Sequence, residues 1–108
     1  MKGTCMLLKI YLSEDSKYKN HNLYHEVVHT LRDAGIAGAT VTRGIEGYGR
    51  DKVLHSSKLL DISPSLPIII DAIDTAEKIE AVLPRIQQIV NEGLILVTEV
   101  NVIKHGKE

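Results

Sequence analysis

The sequence predicts an α+β domain of the ferredoxin-like kind, ordered β-α-β-β-α-β, with one four-stranded antiparallel sheet and two helices on one face. Three observations carry this. Residues 4–12, 36–45, 66–73 and 94–103 are short runs, rich in aliphatic and β-branched side chains, with the length and composition of strands. Two longer runs, with apolar residues at helical spacing, follow the first and third of them. Residues that start or stop helices stand at the junctions: Gly35, Asp74 and Gly93.

Each element has its own reason. Met6, Leu8, Ile10 and Leu12 alternate along the first strand, while its other face carries Cys5, Leu7, Lys9 and Tyr11. Polar residues 13–22 form a loop. At about 100° per residue, Leu23, Val27, Leu31 and Ala34 then fall on one stripe of a helix, with Tyr24 and Val28 at its edge. Gly35 supplies the left-handed position that ends it. After the second strand comes a loop of about twenty residues, containing Gly44, Gly47, Gly49 and the polar segment 50–58; loops longer than about 12–15 residues are usually functional or disordered. The third strand opens with Pro67 and is almost continuously apolar. Asp74 and Glu77 resemble a capping box for the second helix, whose apolar side carries Ile79, Val82, Leu83, Ile86, Ile89 and Val90. Pro84 inside that run is expected to kink or split it, because proline cannot donate a backbone hydrogen bond. Gly93 ends the helix and opens the last strand.

That last strand is apolar on both faces, with Ile95, Val97 and Ile103 alternating with Leu94, Leu96, Val100 and Val102. Two helices cover only one side of a four-stranded sheet, so the other apolar side needs a cover. Another copy of the chain is the simplest one, and a homo-oligomer is expected.

Composition narrows the function. With 108 residues the chain has room for one domain, spanning 1–108. Thirteen basic against fourteen acidic residues give a formal charge of -1, which argues against nucleic acid or an anionic membrane as partner. A single cysteine excludes an internal disulfide and fits a reducing, cytoplasmic setting. No apolar run reaches the roughly 20 residues that span a bilayer, so no direct membrane insertion is expected.

The stretch from Gly35 to Lys52 carries a resemblance. Gly35-Ile36-Ala37-Gly38-Ala39-Thr40-Val41 followed by Gly47-Tyr48-Gly49-Arg50-Asp51-Lys52 is similar to the segment of PII signalling proteins in which a strand leads into a long mobile loop. The whole chain is more similar still to a family of uncharacterised PII-like proteins, through Leu31-Arg32, Gly35-Ile36, Gly38, Arg43-Gly44-Ile45, Gly47, Leu66-Pro67 and Glu92-Gly93-Leu94-Ile95. The resemblance implies a homotrimer with ligand clefts between subunits, where an adenine nucleotide binds and the 44–58 loop reports it to a target protein. Some relatives occur beside or fused to a fluoride-channel-like membrane protein, which points to a membrane transporter as a candidate target. The implied nucleotide-binding residues are Thr40, Arg43, Gly44, Gly47, Tyr48, Gly49, Arg50, Gly93 and Lys104.

Physical chemistry fits several of these. Glycines let backbone amides approach a phosphate closely. Arg43 and Arg50 offer forked, charge-assisted hydrogen bonds. Two departures bear on the ligand: the lysine after the family's second-loop glycine is Leu94 here, and the glutamine after the loop arginine is Asp51. One removes a positive charge and the other adds a negative one, so ADP or AMP is favoured over ATP. No cofactor is required and no enzymatic activity is expected.

His25-Glu26-Val27-Val28-His29 fits the H-E-x-x-H signature of zinc proteases on a predicted helix. However, both histidines fall nearly opposite the Leu23, Val27 and Leu31 stripe. The extended motif also fails, since Arg32 and Gly35 stand where glycine and histidine are needed. A zinc hydrolase is therefore the weaker alternative, and a solvated helix face is the expectation. A metal-binding trimer of the same fold, using His21, His25 and His29, is the other alternative. For the predicted site itself, no metal is assigned.

Overall fold

The central strand β1, Gly3–Ser13, buries Leu8, Ile10 and Leu12 on one side, as its alternation requires. In this computed structural model, which describes residues 1–57 and 65–107, β1 is followed by a two-strand hairpin, β2 (Lys17–Tyr18) and β3 (His21–Asn22). The hairpin occupies the predicted polar loop. Lys19 and Asn20 both have positive φ, 46° and 69°, as a two-residue hairpin turn needs. Helix α1 (Leu23–Asp33) follows, with Leu23, Val27 and Leu31 buried as predicted. Gly35, at φ 79°, donates to Arg32 O, and Ile36 donates to Leu31 O, closing the helix end.

The remaining elements are β4 (Gly38–Arg43), β5 (Glu46–Gly47), β6 (His55–Ser56), β7 (Pro67–Asp74), α2 (Ala76–Ile89) and β8 (Leu94–Val102). The main sheet has the order β4-β7-β1-β8, antiparallel throughout. This is the predicted ferredoxin-like arrangement. Ile79, Val82, Ile86 and Ile89 of α2 join the α1 stripe and Leu8, Ile10, Leu12, Ile68, Ile70 and Ala72 in one core. Each fully buried aliphatic side chain of this kind contributes about 1.5–3 kcal/mol relative to exposure.

Two local expectations are corrected. The N-cap of α2 is Thr75, whose side chain accepts from Lys78 N at 3.4 Å, one residue later than the Asp74 capping box. Asp74 is the buried end of β7, and its carboxylate accepts from Thr75 N at 2.6 Å and from Ala37 N at 2.9 Å. It joins the start of α2 to the lead-in of β4. Nor does Pro84 split α2, which runs unbroken from Ala76 to Ile89. Proline deprives the Glu80 carbonyl of its donor, but Glu80 and Pro84 are both on the exposed side, where water can take that donor's place.

Cross-strand register sorts the two faces of the sheet. Leu7, Lys9 and Tyr11 of β1 stand opposite Ile73, Asp71 and Ile69 of β7 and opposite Thr98, Leu96 and Leu94 of β8. These residues lie on the face away from the helices. Leu94 and Leu96 are 54% and 37% exposed. The apolar second face expected from β8 is present, and nothing among the described residues covers it. No helix among the described residues is long and apolar enough to cross a membrane.

Candidate functional site

The residues singled out in the sequence gather mainly at one end of the sheet. Arg43 closes β4 opposite Ile68, while Ser13 closes β1 opposite Pro67, and Leu94 opens β8 opposite Tyr11. Arg43, Gly44, Gly47 and Gly93 therefore share that end. Gly93 is on the β8 side and the rest are on the β4 side. Thr40 lies further up β4, exposed and opposite Asp71 on the uncovered face. Lys104 follows β8, whose last residue pairs with Gly3, so it lies at the other end of the sheet. One chain does not bring all nine together.

Pro67 organises the glycines. The Gly44 amide donates to Pro67 O at 2.7 Å, and a Cβ at Gly44 would lie 2.7 Å from Pro67 Cγ. At Gly47 the same ring carbon would be 3.1 Å away. Gly44 is thus required for close packing on the proline ring, and Gly47 fits it tightly, whatever they bind. Gly93 is constrained more severely: φ is 154°, and a Cβ there would lie 2.7 Å from the Tyr11 carbonyl oxygen and 2.9 Å from Leu12 Cδ2. At Gly49 a Cβ would meet nothing within 4 Å among the described residues, which leaves the backbone around it open to an approaching group.

The predicted long loop is not structureless. Glu46 pairs with Ser56 and Gly47 with His55, and Ser57 N donates to Ile45 O at 3.0 Å. Residues 48–54 are the tip of this short hairpin. There Lys52 N donates to Gly49 O, and Val53 N donates to the Asp51 carboxylate at 3.0 Å. Tyr48 is 65% exposed, with Lys52 Nζ 5.5 Å from its ring centroid. Arg50 is exposed in the same turn. Lys58, the last residue of the expected 44–58 loop, lies outside the described residues.

Arg43 has a partner that sequence reasoning missed. Its Nε is 2.7 Å from Glu14 Oε2, and its Nη2 donates to Glu14 Oε1 at 2.9 Å, a forked pair across the end of the sheet. Glu14 is held in turn by the β7 lead-in: its amide donates to Leu66 O, and its carboxylate accepts from Leu66 N at 3.4 Å. The hydrogen bond from Arg43 holds the Glu14 carboxyl below the ordinary glutamate range, helped by the Leu66 amide and opposed by burial. The same bond raises Arg43. An anion recruiting the Arg43 fork must displace a carboxylate already seated there.

Asp51 also gains a local role. Its acceptance of the Val53 amide braces the hairpin tip, and it sets a negative charge beside Arg50. Leu94, which replaces a lysine of the PII pattern, projects on the uncovered face.

Residues 5–102 match the family DUF190, "Uncharacterized ACR, COG1993". A UPF0166 protein of Methanocaldococcus jannaschii is 39% identical over 99 residues, 91% of each chain. Among solved structures, CPII of Thiomonas intermedia K12, bound to ADP and bicarbonate, superposes with TM-score 0.68 at 21% identity, covering 94% of this chain and 90% of that one. The GlnK–ATP complex of B. subtilis superposes with TM-score 0.57 at 14% identity, covering 93% of this chain and 84% of that one. At these identities the superpositions establish a common fold, and that fold is PII-like.

Proposed function

The chain belongs to the DUF190 family and has a PII-like fold over nearly its whole length, and from that premise we propose that it is a nucleotide-responsive signalling protein rather than an enzyme. It acts as a homotrimer whose inter-subunit clefts take an adenine nucleotide, and the loop at 44–58 passes the bound state to a target protein in the cytoplasm. A membrane transporter is a candidate for that target. The observation that carries this reading is the hairpin set at the end of the sheet. It presents an open backbone at Gly49, with Arg50 exposed beside it and Arg43 at its base. The fold likeness to CPII, a protein solved with ADP and bicarbonate, supports the ligand class.

The distribution of the candidate residues fits a cleft completed by a neighbour. Thr40, Arg43, Gly44, Gly47, Tyr48, Gly49 and Arg50 belong to the β4 side of the sheet, Gly93 to the β8 side, and Lys104 to the opposite end. In a closed oligomer the β4 side of one copy can meet the β8 side or tail of the next. Thr40 offers a hydroxyl to an adenine edge, and the hairpin offers amides and guanidinium groups to phosphates. Asp51 beside Arg50, and Leu94 in place of a lysine, favour two phosphates or one over three. For the loop to signal, the ligand must prefer one of its arrangements, since equal affinity for both shifts nothing.

Calorimetric titration of the purified oligomer with ADP, AMP, ATP and cyclic AMP tests the reading. Micromolar binding of ADP or AMP, tighter than that of ATP, is expected. Tighter binding of ATP would overturn the argument from Asp51 and Leu94, and silence from all four would sink the nucleotide reading while leaving the fold intact.

A further inference from the structure

The histidines of α1 take no part in the nucleotide reading, and they have a geometry of their own. His25 and His29, one helical turn apart, are both exposed on the side of α1 opposite its buried stripe. Their Nε2 atoms stand 3.0 Å apart, with ring centroids at 4.4 Å and ring planes inclined at 50°. Tyr24 meets the His25 ring edge-on, with centroids 6.5 Å apart, and gives it a lateral support. Two imidazole nitrogens of adjacent turns thus converge on one spot at the surface.

The spacing is that of a hydrogen bond between the rings, and it also falls within the bite of two nitrogens on one metal ion. With metal–nitrogen bonds of about 2.0–2.1 Å, two nitrogens at a right angle lie about 2.9 Å apart, and two at the tetrahedral angle about 3.4 Å apart. The observed 3.0 Å is close to the right angle. Two nitrogens with water completing the shell suit the tetragonal sites of Cu²⁺ and Ni²⁺, and Cu²⁺ also stands highest in intrinsic affinity for nitrogen ligands. Among the described residues no group of three His, Cys, Asp or Glu side chains is placed to hold a metal. That leaves two protein ligands, with water completing the shell. Such an arrangement differs from a closed structural zinc centre and from the three-ligand centre of a zinc hydrolase.

We propose that His25 and His29 form a surface chelate for one Cu²⁺ or Ni²⁺ ion per chain, bound through both Nε2 atoms in neighbouring coordination positions. Binding requires each ring to carry its proton on Nδ1, so that both Nε2 lone pairs face the ion. His21 lies beside His25 in a shallow depression with Lys17, Asn20 and Asn22, but it is not part of the chelate.

The test is titration of the metal-free full chain with CuCl₂, NiCl₂ and ZnCl₂ in a non-coordinating buffer, with electron paramagnetic resonance on the copper form. One Cu²⁺ per chain is expected, with hyperfine structure from two nitrogens. His25→Gln and His29→Gln should each weaken Cu²⁺ binding tenfold or more and reduce the signal to one nitrogen. His21→Gln should leave both unchanged, and circular dichroism should show α1 intact in all three. Wild-type affinity in either α1 variant would overturn the proposal. So would an equal loss in His21→Gln, which would indicate a three-histidine site, or Zn²⁺ binding as tightly as Cu²⁺.

Discussion

Glu14 and Arg43 show how one contact links the site to the stability of the chain. The pair is forked, joins the end of β1 to the end of β4, and is anchored through Leu66 to the start of β7. Because the folded-state pKa of Glu14 is depressed, the unfolded chain binds more protons there at acid pH. Its contribution is therefore complete above the ordinary glutamate value and is lost as pH falls through the lower folded value. The melting temperature of Glu14→Gln should lie below that of the wild type at pH 7, and the gap should begin to narrow at about pH 4, where an unfolded glutamate is protonated, and close once the folded carboxyl is protonated too. A gap that stays constant from pH 7 to pH 3 would show that charge has no part in it. The same variant bears on the ligand. With its carboxylate partner neutralised, Arg43 is available to phosphate, and ADP should bind more tightly; unchanged affinity would take Arg43 out of the cleft.

At the scale of elements, Asp74 does more than cap a helix. One carboxylate oxygen serves the first amide of the α2 lead-in and the other serves Ala37, so β4 and α2 are fixed to the same buried residue. Asp74→Ala leaves two part-buried amides without their acceptor, a cost of about 1–3 kcal/mol for each group that water does not reach. Urea unfolding should show a lower midpoint with an unchanged slope. A midpoint within error of the wild type would mean that water replaces the carboxylate at both amides. The sequence marked a helix start here through Asp74 and Glu77 before an apolar stripe. It placed the cap on Asp74, one residue early, because the Ala37 amide that holds Asp74 is distant in the chain and Thr75 also suits the position. Sequence distance explains the other gaps too. The β-α-β-β-α-β order, the α1 stripe, the Gly35 stop and the two-faced β8 are local periodicities, and all were legible. The Lys19–Asn20 turn and the short β5–β6 ladder involve too few residues to have a period. Glu14 as partner of Arg43 and Pro67 as the seat of Gly44 and Gly47 are contacts between segments far apart in the chain, which no local pattern encodes.

For the whole molecule, the uncovered face of the sheet decides how the chain must live. Its centre is not uniformly apolar: Lys9 Nζ stands 3.4 Å from Asp71 Oδ1, an oxygen shielded from solvent that receives no hydrogen bond among the described residues. Leu96 lies directly opposite Lys9 on the adjoining strand, and Leu94, Tyr11 and Ile69 continue the surface toward the candidate site. A face that is apolar around one charge pair is costly in water and serviceable in an interface, where a neighbour can cover the leucines and supply the missing donor. Replacing Leu96 with glutamate tests this without threatening the core, because the side chain is already partly exposed and Lys9 stands beside the new carboxylate. In the monomer the change should be nearly neutral, within about 0.5 kcal/mol as for surface substitutions generally. In a closed oligomer it repeats the same added negative charge once per copy around a shared interior. Sedimentation should therefore show the proposed trimer reduced to monomer in Leu96→Glu with its circular dichroism preserved, and the proposed ADP binding lost with the inter-subunit cleft. A variant that remains a trimer would place the subunit interface elsewhere, and one that binds ADP as a monomer would place the site within a single chain.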